Sequence, residues 1–169
     1  GSFESTDYGT LDRSLAVGDL AFADGDHGWS LYSQSVARTQ NGGASWQTVR
    51  VIPEHTAPEL RAITAASAEK IWAVGVGGTM FTSADGGATW GAVDPATSNT
   101  LVDVAFGSVS VGWAVGGASL QRTTNGGTSW FPVSPDARYS WDGVAAPSES
   151  LACFTGRDGT AARDCIVRT

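Results

Sequence analysis

The sequence predicts an all-β fold: a β-propeller of four-stranded antiparallel blades, with about four blades in the chain. Three observations predict it. A turn-forming segment recurs from Thr39 to Trp46, from Ser83 to Trp90 and from Thr123 to Trp130. An Asn or Asp marks the same place in each, at Asn41, Asp85 and Asn125, with spacings of 44 and 40 residues. A tryptophan stands 12 or 13 residues upstream of each, at Trp29, Trp72 and Trp113. A period near 40 residues suits a blade of four short strands.

The elements follow in order. The upstream tryptophans lie in the apolar runs Trp29-Ser30-Leu31, Trp72-Ala73-Val74 and Trp113-Ala114-Val115. Nine residues earlier come Leu20-Ala21-Phe22, Ile63-Thr64-Ala65 and Val104-Ala105-Phe106. A third run enters each turn: Val36-Ala37-Arg38, Met80-Phe81-Thr82 and Leu120-Gln121-Arg122. A fourth leaves it, as in Trp46-Gln47-Thr48-Val49. Each unit thus reads as strands A to D with the recurring turn between C and D. Asn-Gly and Asp-Gly tolerate the positive φ of tight hairpins. The Asn or Asp side chain accepts backbone N–H bonds, and the Ser or Thr two residues earlier adds another. Asn41, Gly43, Trp46, Asp85, Gly87, Trp90, Asn125, Gly127 and Trp130 are therefore expected to be structural.

A fourth unit is degenerate. Val144-Ala145-Ala146 takes the strand A place, Leu151-Ala152-Cys153 replaces Trp-Ala-Val, and Ile166-Val167-Arg168-Thr169 matches the run into the turn. The expected blades span approximately residues 15–56, 57–97, 98–137 and 138–169. Residues 1–14 read as a tag remnant followed by a worn turn, Ser5-Thr6-Asp7-Tyr8-Gly9-Thr10-Leu11, in a strand that either closes the last blade or does not. Only eight residues separate Gly9 from Val17, against 14 from Gly87 to Leu101, which leaves little room for a full strand D.

These turns resemble the Asp-box, or bacterial neuraminidase repeat, pattern Ser/Thr-x-Asp-x-Gly-x-Thr-Trp. The units from Trp72 to Trp90 and from Gly112 to Trp130 are most similar to the photosystem II assembly and stability factor family, over about residues 15–169. The resemblance implies boxes that are structural and sit away from the ligand face. It also implies seven or so blades, where this chain holds about four.

Composition bounds the function. The 169 residues are 41% hydrophobic and 16% charged, with 22 glycines and seven tryptophans, as in a globular β protein. A net charge of −7, with Lys70 against nine arginines, argues against nucleic acid and anionic membrane surfaces. No run approaches the roughly 18 apolar residues of a membrane span, so direct membrane insertion is not expected. Gly1-Ser2 without Met looks like a trimmed start, so the lack of a leader says little.

Enzymatic constellations are not recognisable. A sialidase needs an arginine triad, a Tyr–Glu pair and an acidic residue. Its Arg-Ile-Pro signature is approached only by Arg50-Val51-Ile52-Pro53, and Tyr8, Tyr32 and Tyr139 lack an evident Glu partner. A glycosidase needs two carboxylates about 5–10 Å apart. Asp19, Glu59, Asp94, Asp103, Asp136 and Asp142 are candidates that read equally as solvated acids. Asp19 and Asp103 precede strand A residues, where they either form an acidic funnel or simply solvate the channel. His27 and His55 sit in no metal-ligand cluster, and Asp24-Gly25-Asp26-His27-Gly28 reads as a hairpin turn rather than a calcium loop. No cofactor or metal is expected.

Cys153 and Cys165 lie six residues either side of Gly159 and read as a hairpin disulfide, hence a secreted, periplasmic or cell-surface protein. The D-to-A connections vary most between units, from Arg50 to Glu59, Asp94 to Thr100 and Ser134 to Ser140. Loops on a rigid scaffold are where binding concentrates. His55, Glu59, Asp103, Arg138, Tyr139 and Trp141 are the candidate ligand residues, with Trp141 either a core residue or an exposed stacking platform. The expected function is a non-catalytic extracytoplasmic scaffold for a protein or peptide partner. The alternative is a carbohydrate-binding domain or a fragment of a glycan-active protein. A four-blade piece also raises a homodimer that completes a larger ring.

Overall fold

The computed structural model describes residues 17–32, 35–50, 59–133, 138–159 and 163–168. Among them the chain forms four antiparallel sheets in sequence order, three of four strands and one of three. The first holds β1 (Val17–Phe22), β2 (His27–Tyr32), β3 (Ser35–Gln40) and β4 (Gln47–Arg50). The second holds β5 (Leu60–Ala65), β6 (Ile71–Gly75), β7 (Met80–Ser83) and β8 (Gly91–Ala92). The third holds β9 (Asp103–Phe106), β10 (Gly112–Gly116), β11 (Ser119–Thr123) and β12 (Phe131–Pro132). The last holds β13 (Tyr139–Ser148), β14 (Leu151–Asp158) and β15 (Arg163–Arg168). A 3-10 turn at Val76–Gly78 links β6 to β7. The innermost strands β1, β5, β9 and β13 pack on one another in turn, which is the propeller arrangement.

Alternation along each strand divides its side chains between two neighbours. In β6, Ile71 and Ala73 join Trp29, Leu31 and Ile63 in a core between the first two blades. Trp72 and Val74, on the other face, join Leu101, Val104, Ala114 and Trp130 between the second and third. Trp113 and Val115 repeat this against Ala152 and Phe154 of the fourth. Strands β6 and β10 are buried throughout because both their faces are covered. Stability therefore comes from three interblade layers in series rather than one central core.

The fourth blade departs from expectation in two respects and decides an alternative in a third. Val104 pairs with Ala114 and Ala105 with Trp113, while Val144 pairs with Phe154 and Ala145 with Cys153. The counterpart of Trp-Ala-Val is thus Cys153-Phe154-Thr155, two residues later than the sequence suggested. The expected disulfide is not formed either. Cys153 carries a free thiol. The β14–β15 register sets it opposite Arg168 and sets Cys165 opposite Gly156. Asp158 pairs with Arg163, so the hairpin is centred beyond Gly159, and the symmetry inferred about that glycine misplaces both partners. Finally, Trp141 is only 3% exposed and lies edge-on to Phe154 at 5.8 Å. It is a core residue, not an exposed stacking platform. The segment from Ser5 to Leu11 lies outside the described residues.

Candidate functional site

The two ends of the blades differ in chemistry. One end carries the A-to-B turns and the boxes, whose polar atoms are consumed internally. Thr39 Oγ1 donates to Asn41 Oδ1 at 2.9 Å and accepts from Gly43 N at 2.9 Å. Asn41 Oδ1 also accepts from Ser45 N, while Asn41 Nδ2 donates to Ser45 Oγ, both at 2.9 Å. Asn125 repeats this set with Thr123 and Ser129. Each box also rests on the A-to-B turn of its own blade, through Gly42 N to Asp26 O, Gly86 N to Glu69 O and Gly126 N to Ser110 O. The turn from Asp24 to Gly28 closes by Asp24 Oδ1 accepting from the backbone N–H groups of Asp26 and His27, both at 2.8 Å.

Asp85 fills the same role with a charge. Its Oδ1 accepts from Ser83 Oγ and Thr89 N, and its Oδ2 from Thr89 Oγ1 at 2.6 Å. The Thr89 hydroxyl and N–H, then the Ser83 hydroxyl, hold its pKa down at about 2. A depressed carboxylate contributes stability above its unfolded pKa and loses it as pH falls through the folded value. Asp85→Asn is therefore expected to leave stability at neutral pH nearly unchanged, since Asn41 and Asn125 serve identically. The same change should flatten the loss of stability between about pH 4 and pH 2. Chemical denaturation at a series of pH values checks this, and an unchanged acid limb would contradict it.

On the inner strands β1 and β9, Asp19 and Asp103 act as clamps. Asp19 Oδ1 accepts from Leu20 N and its Oδ2 from Ile63 N of the next blade, both at 2.8 Å. Asp103 likewise accepts from Val104 N at 2.8 Å and from Val144 N of the next blade at 2.7 Å. Burial pushes the Asp103 pKa up, the two N–H bonds oppose this, and the Asp19 charge adds to the rise. These oxygens tie one inner strand to the next, and that commitment leaves them poorly placed to serve as a ligand funnel.

The other end carries the D-to-A and B-to-C connections, and it is knitted between blades. Gly117 and Trp141 exchange backbone bonds at 3.0 and 2.7 Å, and Leu101 N donates to Gly75 O at 3.0 Å. Thr97 Oγ1 and Asn99 Nδ2 both meet Ser119 Oγ of the third blade at 2.9 Å. In the same loop Ala96 holds the left-handed conformation at φ 58°, with its N–H on Asp94 Oδ1. On this platform stand exposed polar groups. Glu59 pairs with Arg61 at 3.1 Å. The Arg138 guanidinium lies 4.8 Å from the centre of the Tyr139 ring, with its Nε 3.9 Å from Asp158. Thus Arg138 and Tyr139 are brought together with Asp158, Glu59 stands with Arg61, Asp103 is bonded to Val144 of the next inner strand, and Trp141 packs on Tyr139 at 5.1 Å between ring centres. His55 lies outside the described residues. Sequence reasoning missed Arg61, which sits at a bulge between Leu60 and Ala62, and the Thr97–Asn99–Ser119 clamp. Nothing local in the sequence marks either.

A model of the photosynthesis system II assembly factor YCF48 family matches residues 5–94, more than half of the chain. The chain belongs to the YCF48 assembly-factor family. A YCF48 structure with a D1 peptide bound is 19% identical, with a TM-score of 0.67, and the match covers 83% of this chain and 51% of that one. YCF48 from Cyanidioschyzon merolae is 17% identical, with a TM-score of 0.70 over 90% of this chain and 50% of that one. A GH74 enzyme of Niastella koreensis is 16% identical, with a TM-score of 0.69 over 90% of this chain and 28% of that one. At these identities the likeness is one of fold. The chain spans about half the length of the YCF48 structures it matches. No curated protein matches it.

Proposed function

We propose that the chain is a non-catalytic, extracytoplasmic scaffold that binds a protein or peptide segment at the end bearing the D-to-A connections. The observation that carries this is the exposed Arg138 guanidinium against the half-buried Tyr139 ring, on a platform fixed by interblade backbone bonds. A guanidinium beside an aromatic face suits an extended peptide, offering donors for carbonyl or carboxylate oxygens and a surface for an apolar side chain. Membership of the YCF48 family, in which one structure holds a D1 peptide, supports the same reading.

A labelled D1 peptide is the first probe, followed by a peptide array. Arg138→Ala and Tyr139→Ala are each expected to weaken binding about tenfold, or about 1.4 kcal/mol. Arg138 is exposed and Tyr139 half-buried at the surface, so melting temperature should barely move. Peptide binding that survives both substitutions would place the site elsewhere. The glycan reading draws support from the fold it shares with a GH74 enzyme, and it loses its tryptophan platform with Trp141 buried. Glycan-array binding lost on Tyr139→Ala, without peptide binding, would favour it. With no hairpin disulfide formed, the last blade's cysteines lend the extracytoplasmic part no support, and it is tested on its own. Fractionation that finds the tagged gene product only in the cytosol would overturn it.

A further inference from the structure

We propose that Asn41 and Asn125 are latent modification sites: each asparagine converts to aspartate or isoaspartate when its turn opens, and the closed box holds the reaction off.

Both asparagines precede a glycine, Gly42 and Gly126. In such a pair the glycine N attacks the asparagine Cγ. The new N–Cγ bond closes a five-membered succinimide and the Cγ–Nδ2 bond breaks. Ammonia leaves with the proton of the glycine N–H. Water then opens the ring at either carbonyl. One opening gives aspartate, and the other gives isoaspartate, with Cβ drawn into the main chain. Glycine favours the attack because no side chain shields its nitrogen. Asn41 and Asn125 are both exposed, so water reaches them in the folded protein and burial does not protect them.

What protects them is the commitment of the reacting atoms. Gly42 N donates to Asp26 O at 3.0 Å, which holds the nucleophile against the A-to-B turn. The departing Asn41 Nδ2 donates to Ser45 Oγ at 2.9 Å, and Asn41 Oδ1 accepts from Thr39 Oγ1 and Ser45 N, both at 2.9 Å. The third box repeats the arrangement. Gly126 N donates to Ser110 O at 2.8 Å, and Asn125 Nδ2 donates to Ser129 Oγ at 2.8 Å. Asn125 Oδ1 accepts from Thr123 Oγ1 at 2.9 Å and from Ser129 N at 3.0 Å. Attack requires the carboxamide to turn out of the box and the glycine N to leave its carbonyl, which is local unfolding of the turn.

The two products differ in consequence. Aspartate fits, because Asp85 accepts the same bonds from Ser83 and Thr89 in the second box. Isoaspartate does not fit. Its extra main-chain atom moves Gly42 N off Asp26 O and Gly43 N off Thr39 Oγ1. A chain that forms isoaspartate while open cannot close that box again, and chemistry makes its unfolding irreversible.

The test holds the whole chain in native buffer and in guanidinium chloride, at one mildly alkaline pH and one temperature. Peptide mapping by mass spectrometry reads the amide-to-acid mass gain at each site. Both sites are expected to convert in denaturant, and at least about tenfold more slowly in native buffer. Equal rates in the two media, or no conversion in denaturant, would overturn the proposal. Ser129→Ala removes the partner of Asn125 Nδ2 at a half-buried place and leaves the first box intact. Folded by circular dichroism, this variant should convert faster at Asn125 while Asn41 keeps its native rate. An unchanged rate at Asn125 would show that the box bonds do not hold the reaction off. After return to native buffer, aspartate should be found in refolded chains and isoaspartate only in those that fail to refold. Isoaspartate at either site in chains of unchanged melting temperature would sink the claim that it breaks the box.

Discussion

Trp72→Ala is expected to lower stability by about 3–5 kcal/mol, the largest single effect among the repeat residues. Trp72 is fully buried, and its indole fills the layer between the second and third blades with Leu101, Val104, Ala114 and Trp130. Truncation leaves a cavity bounded by two β-sheets, whose paired backbones resist collapse onto it. It also removes the ring stacked on Phe106. With about 5–15 kcal/mol of total stability in an ordinary domain, such a loss brings the fold near its limit, and melting should fall by on the order of 10 °C. Because blades contact in series, the lost layer should also uncouple the first two blades from the last two. Denaturant unfolding should then show a shallower or divided transition. Trp46→Ala is the control. Trp46 has the same box position as the buried Trp130 but stands half-buried in the first blade, so its loss should cost less than that of Trp130. Equal losses for Trp46 and Trp130 would contradict the layered account.

The boxes were legible in the sequence because their chemistry is local. Gly42, Gly43, Gly86, Gly87, Gly126 and Gly127 all have φ between 65° and 89°, which few other residues adopt, and the Asn or Asp beside them bonds within four residues. The blades were legible because each tryptophan keeps a fixed distance to its box. The fourth blade was misread for want of that marker. Cysteine stands in the tryptophan place, and the eye settles on Leu151. The nine-residue spacing from Val104 to Trp113 would have led from Val144 to Cys153.

The candidate site was less legible for a different reason. Its parts meet across blades: Asp103 on Val144, Thr97 on Ser119, Gly117 on Trp141. No spacing rule within one unit encodes such contacts. Arg138 and Tyr139 were found only because they fall in a variable connection, whereas Arg61 is exposed by a bulge that the sequence leaves unmarked.

Thr123→Val carries the second large effect, an expected loss of about 2–3 kcal/mol. The substitution keeps shape and volume, so it opens no cavity. What it removes is a hydroxyl with three tasks in a fully buried place: it donates to Asn125 Oδ1 at 2.9 Å and accepts from Gly127 N at 3.0 Å and Asn125 N at 3.4 Å. Gly127 is itself buried beneath Trp72, so water cannot replace the lost acceptor. A buried donor left unpaired costs about 1–3 kcal/mol, and freeing Asn125 Oδ1 adds to it. Thr123→Ser separates the hydroxyl from the methyl group. Ser83 performs the same three tasks in the second box, so serine should recover most of the loss. If valine and serine behave alike in urea unfolding, methyl packing rather than the hydroxyl holds the turn. The boxes stand at the end opposite Arg138 and Tyr139. Thr123→Val should therefore lower the melting temperature while peptide affinity, measured where the protein remains folded, stays the same. That dissociation would separate the end that builds the propeller from the end proposed to bind.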